Sequence, residues 1–242
     1  MFQTRVQQRS IPGAVATVGV NERVAFLKRT YAHLGVAILA FVAVSWAFQQ
    51  TSFAARFTYW AWGPGSGLNW LLVVGLFMAA GFITDRLARS ETSPAVQYLG
   101  LALGVLSFGI VITPLLFVAV KFYPQDPHLI QKAALFTLLI FAGLTGTVFL
   151  TRKDFSFLRG ILTIASFAAI GIIVASILFG FQLGTIFCVA MIVLMAGYIL
   201  YQTSMLMAYF HPAQHVAAAL MLFSTIATLF FYVLRLLMSL RD

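Results

Sequence analysis

Charge is what this sequence has least of. Only 9% of its residues are charged, against roughly 25% in soluble domains. The acids are Glu22, Asp85, Glu91, Asp126, Asp154 and Asp242, and all fall in loops, termini or the ends of apolar runs. Most proton relays and coupling-ion sites are built on intramembrane Asp or Glu, so both are largely excluded. A calcium site is weakened too, because Ca2+ takes about six to eight oxygens, carboxylates among them. Cysteine is nearly absent: Cys188 stands alone inside an apolar run, which excludes a disulfide framework and a thiolate metal site. Residues 1–29 lack a short apolar stretch ending in a cleavage site. They read as a retained tail, not a signal peptide.

Apolar sequence fills the space that charge leaves. Hydrophobic residues make up 62% of the chain, mean hydropathy is +0.98, and apolar runs of about 20 residues recur as in transmembrane helices. We expect an all-α integral membrane protein with a tail over 1–29 and one seven-helix domain over 30–242. The spans are expected at about 30–48, 70–84, 95–120, 133–150, 158–179, 184–207 and 216–238. The tail, with Pro12-Gly13, is expected to be flexible to about Val20. Trp60, Trp62 and Trp70, in a loop over 49–69, read as an interfacial belt. Gly143 and Gly146 are expected to permit close helix contact, Pro114 to kink the third span, and Asp154 to begin a cap for the fifth. With the N-terminus cytoplasmic, ten basic residues fall on that side and five on the other, which favours N-in, C-out. Lipid is thus the expected partner. No basic stripe interleaves with exposed aromatics, so nucleic acid is not expected.

Polar residues inside the spans are few and clustered. Gln202, Thr203 and Ser204 interrupt the sixth run, and Ser224, Thr225 and Thr228 interrupt the seventh. Hydrocarbon offers no hydrogen bonds, so each group needs a partner. This places the last two helices face to face at the centre of the bundle. Tyr198 and Gln202 stand one turn apart, as do Ser224 and Thr228. Such stripes suit either reading, interhelical glue first or else a polar path. His211 and His215 have the spacing of two metal ligands, but Pro212 lies between them and no third ligand is near. His33 and His128 read as isolated. No catalytic constellation is evident, so neither an enzyme nor a cofactor is expected.

Several segments together resemble the Bax inhibitor-1/YccA family: Phe26-Leu-Lys-Arg-Thr-Tyr31, Gly109-Ile-Val-Ile-Thr-Pro114, Thr151-Arg-Lys-Asp-Phe-Ser-Phe-Leu158, Tyr198-Ile-Leu-Tyr-Gln-Thr-Ser204 and Leu222-Phe-Ser-Thr-Ile-Ala-Thr-Leu-Phe230. The resemblance runs from about Glu22 to the C-terminus and implies a seven-helix fold with the last helix central. In the family's calcium-leak branch, two aspartates in the last two spans form a proton-sensitive pair, joined by an arginine near the end of the second span. The matching positions here hold Gln202 and Thr225, with Arg86 the nearest arginine and Arg89 the alternative. An amide facing a hydroxyl cannot titrate, so a leak gated by that pair is not expected. The Gln-Thr-Ser step, the loop residues Arg152, Lys153 and Asp154, and the terminal Arg241-Asp242 are closer to the YccA branch. That likeness implies a bacterial inner-membrane protein that modulates the AAA protease FtsH and is its slow substrate. The alternative is a calcium or cation leak with Gln202, Thr225, Ser204 and Thr228 near its narrowest point.

Overall fold

In hydrocarbon every backbone N–H and C=O must be satisfied within the protein, which leaves apolar runs of this length one solution, the helix. The computed structural model describes residues 14–90, 93–151 and 153–241, and these are all-helical. The helices are α1 (Val20–Gln49), α2 (Ser52–Trp62), α3 (Gly67–Ala88), α4 (Pro94–Phe122), α5 (Leu129–Thr151), α6 (Leu158–Phe179), α7 (Thr185–Tyr209) and α8 (His215–Ser239). All but α2 are long and apolar enough to cross a membrane. Arg152 and the extreme tail lie outside the described residues.

The last helix is the axis of the bundle. Of its span 72% is buried, against 11% for α3 and α6. It packs on α1, α4, α5 and α7, as expected for a central last helix. Ala217, Ala218 and Ala219 are completely buried. Small side chains let neighbouring backbones approach, which is how helices associate where lipid is as apolar as leucine. Close approach elsewhere falls on glycines other than those singled out above. A Cβ on Gly100 would lie 2.6 Å from the Ala88 nitrogen and 2.8 Å from the Thr84 carbonyl oxygen, so α3 and α4 meet backbone to backbone. One on Gly104 would strike Leu220 at 2.6 Å, whereas Gly143 and Gly146 have nothing within 4 Å. A small residue permits contact without requiring it.

Three boundaries differ from the sequence reading. The first helix begins at Val20, ten residues before the expected span, because nothing between Val20 and Thr30 breaks it. Arg23 Nε also donates to the Val18 carbonyl at 2.8 Å. Ahead of it, the described part of the tail is not free. Ala14, Val15 and Ala16 are buried, and the Val15 N–H donates to the Phe210 carbonyl at 2.9 Å. The expected loop over 49–69 contains α2. Its Ala54, Thr58 and Ala61 are buried at the four-then-three spacing of one helix face, while Tyr59 and Trp60 face outward. Short, amphipathic and aromatic on its outer face, α2 has the character of an interfacial helix. At the end of α6, Gly180 adopts φ 72°, the left-handed conformation that terminates helices. This turn sets α6 and α7 antiparallel.

The end of α8 is tied down by an ion cluster. Asp126, between α4 and α5 and buried, accepts from Lys132 Nζ at 2.9 Å and 3.1 Å and from Arg241 Nη2. The Lys132 hydrogen bond, aided by the Arg241 charge, holds the Asp126 carboxyl below the usual carboxylate range against the opposing effect of desolvation.

Candidate functional site

Antiparallel α7 and α8 bring their polar stripes together. Thr225 Oγ1 donates to Gln202 Oε1 at 2.9 Å and also leans on the Met221 carbonyl at 3.3 Å. Both residues are more than nine-tenths buried. One turn away along α7, the Tyr198 hydroxyl bonds to Ser166 Oγ of α6 at 2.9 Å. Ser224 and Thr228 donate to the carbonyls of Leu220 and Ser224, each at 2.8 Å. Such back-bonding satisfies a hydroxyl proton within its own helix and leaves the oxygen able to accept.

These groups line a cavity of about 310 Å³. Its polar side carries Tyr198, Gln202, Ser224, Thr225 and Thr228, with Ser107 of α4 and Ser166 added. Its apolar side carries Phe77, Phe108, Met195, Leu220 and Met221. Asp85 and Thr84 lie at the α3 C-terminal end. The Asp85 carboxylate is paired with Arg89, whose Nε reaches both oxygens at 2.9 Å. No residue of α8 beyond Thr228 lines the cavity, and Leu229, Phe230, Val233 and Leu234 beyond it are buried. On the α8 side the lining stops at Thr228.

The structure separates the candidate residues. Gln202, Thr225 and Thr228 share the cavity. Ser204 does not: its hydroxyl donates to the Tyr201 carbonyl at 2.8 Å and accepts from the Phe155 N–H at 3.3 Å, holding the loop before α6 against α7. Arg86 is exposed on α3 and lies over the Phe82 ring, 5.1 Å from its centroid. Arg89 is the arginine near the cavity, paired with Asp85 and lying over Phe210. Asp154 accepts from the Ser156 N–H at 2.8 Å. It thus braces the turn before α6, whose own N-cap, Phe157, has no side-chain cap. Lys153 is exposed.

Some groups were not anticipated. Asp85 could have been found from its i, i+4 spacing to Arg89. Ser107 and Ser166, as lone hydroxyls in apolar runs, were weaker signals. His33 is not isolated: Nδ1 bonds to the Arg29 carbonyl at 2.7 Å, Nε2 meets the Tyr98 hydroxyl at 3.0 Å, and the His215 ring lies 4.9 Å away. Nothing in chain order links residues so far apart. His211 caps a short 3-10 turn, accepting from the Ala213 N–H at 3.3 Å.

A bundle of seven spanning helices with the last one buried at its centre, and a polar cavity beside it, defines a multi-pass membrane protein. The family model described as "Inhibitor of apoptosis-promoting Bax1" matches residues 23–242. The chain therefore belongs to the Bax inhibitor-1 family, whose members are generally non-enzymatic. It is 27% identical to Protein lifeguard 4 of Mus musculus, over 92% of this chain and 88% of that protein. It is 28% identical to the Golgi anti-apoptotic protein of Vaccinia virus (strain Lister), over 93% and 89% respectively. An uncharacterised protein of Pseudomonas aeruginosa is 33% identical over 47% of this chain and 51% of its own length. No solved structure matches.

Proposed function

We propose that this chain is a YccA-like protein of the bacterial inner membrane, N-terminus cytoplasmic and C-terminus periplasmic. In this reading it binds an FtsH-type membrane protease, modulates it, and is itself degraded slowly. The observation that carries the proposal is the 2.9 Å contact between Gln202 and Thr225. Two neutral groups close on each other where the leak branch of the family, by resemblance, holds a titratable pair. No proton can gate such a contact. The buried last helix supports resistance to extraction, and the bacterial relative supports the setting. The lifeguard and anti-apoptotic names of the other relatives suggest a role that is protective and not catalytic.

The test is co-purification with the protease, full length and lacking residues 1–13. That deletion spares the buried Ala14–Ala16 segment, which removal of residues 1–20 would destroy. In this reading the protease takes hold of the N-terminal tail, so binding should be lost on deletion, and unchanged binding would sink that route. The second reading is a calcium or cation leak, and the polar-lined cavity favours it. Calcium flux into proteoliposomes decides: flux above empty liposomes that falls in Gln202→Ala would favour the leak.

A further inference from the structure

The cavity has an unmet hydrogen-bonding demand. Gln202 is more than nine-tenths buried and lines the space. Its Oε1 is taken by Thr225, and its amide nitrogen, with two N–H groups, has no hydrogen-bond partner among the described residues. Were the amide turned over, its oxygen would be the free atom instead, so one end is unmet either way. The neighbouring hydroxyls have used their protons inward. Ser107 donates to the Leu103 carbonyl at 2.7 Å, and Ser224 and Thr228 bond to their own helix. Each oxygen keeps lone pairs for an incoming donor. The site therefore combines an unpartnered amide with a set of hydroxyl acceptors, and its opposite side is apolar and aromatic.

The charges narrow the ligand further. Among the described residues, the one carboxylate lining the cavity, Asp85, is already paired with Arg89. An ammonium, phosphate or carboxylate brought beside Gln202 would find no countercharge, which is costly within a membrane. The volume, about 310 Å³, lies at the small end of ligand pockets, roughly 300–1,000 Å³. At the rim, Gly81 of α3 is exposed, and a Cβ there would meet nothing within 4 Å. It lies seven residues before the end of α3, about 10 Å inside at 1.5 Å per residue, so the rim sits at the depth of hydrocarbon.

We propose that this cavity binds the neutral, hydroxyl-bearing head of a lipid-derived amphiphile of the monoacylglycerol class, taken from the bilayer past Gly81. The Gln202 amide holds a head-group oxygen, and the Ser224, Thr228 and Ser107 oxygens accept its hydroxyl protons. Phe77, Phe108 and Met195 line the start of the acyl chain. The inference does not depend on the protease reading.

The experiment uses purified full-length protein in phosphatidylcholine vesicles. It compares a diazirine-bearing monoacylglycerol with the matched fatty acid at alkaline pH and the matched alkane, and locates the label by peptide mass spectrometry. The monoacylglycerol is expected to label the Phe77, Met195 and Met221 peptides above both controls. Gln202→Leu should reduce that labelling about tenfold, the worth of roughly one net hydrogen bond. Gly81→Phe adds bulk where the backbone leaves open space. It should block labelling without touching the Gln202–Thr225 bond, so the outcome does not hang on how Gln202→Leu folds. Equal labelling by all three probes, or labelling indifferent to Gly81→Phe, would overturn the proposal. So would displacement of the label by Ca2+ or Na+, which would make the occupant a cation.

Discussion

Gln202, Thr203 and Ser204 are consecutive in the chain yet serve different neighbours, because successive helical residues turn by about 100°. Gln202 meets Thr225, Thr203 is buried beside the Tyr31 hydroxyl, and Ser204 holds the Phe155 loop. The stripe that lines the cavity is thus Tyr198 and Gln202, one turn apart, not the polar triplet that draws the eye. Replacing Thr225 by Asp tests how dry that stripe is. The new carboxyl would face an uncharged amide inside the bundle, so the substitution should destabilise by about 1–3 kcal/mol, the cost of a buried polar group left unmet. Unfolding in mixed detergent, compared with Thr225→Val, measures it; equal midpoints would mean the stripe is solvated. Asp126 lies outside the spans. Its folded pKa is lowered, chiefly by the Lys132 hydrogen bond, so its contribution is present above the unfolded pKa and fades as pH falls through the folded one. Asp126→Asn should remove that acid-side dependence. Limited proteolysis should then clip the freed end of α8 at neutral pH as readily as it clips the parent in acid.

At the scale of elements, helix existence and order were legible because seven long apolar runs allow little else. What was not legible is which face of each helix meets which neighbour. Gly143 and Gly146 have the composition of a contact stripe but sit beside open space, while Gly100 and Gly104, unremarked in the chain, lie against α3 and α8. Composition states that a close approach is allowed; only the partner's position makes it happen. Gly100→Ala must push α3 from α4 and should cost about 1–3 kcal/mol, as overpacking does. Gly143→Ala meets nothing and should be neutral or stabilising by up to about 1 kcal/mol through helix propensity. Unfolding in mixed detergent separates the two; equal effects would contradict the backbone contact between α3 and α4. The helix α2 escaped notice for a related reason. Its tryptophans and Arg56 mark an interface in sequence, and the buried spacing of Ala54, Thr58 and Ala61 becomes informative only with α4 behind it.

For the whole molecule, the central position of α8 could be expected from its polar residues and from the family resemblance. The extent of the cavity could not, since it depends on how far the apolar packing beyond Thr228 closes. Orientation gives that shape a direction. The buried Ala14–Ala16 segment, Phe210, Arg89 and the Asp85 end of the cavity lie at one end of the bundle: Val15 bonds Phe210, and Phe210 lies under Arg89. The opposite end carries Asp126, Lys132 and Arg241. In the proposed N-in orientation the first end faces the cytoplasm, and the cavity would then approach the cytoplasmic face. Single-cysteine labelling tests this directly once the buried Cys188 has been replaced by serine. Cysteines placed at Lys153 and Ser90 should react with a membrane-impermeant maleimide only after the cells are opened. One placed at Gln125, beside the Asp126 cluster, should react in intact spheroplasts. The reverse pattern would turn the molecule over and put the Asp85 end outside, where no cytoplasmic protease could act through the N-terminal segment.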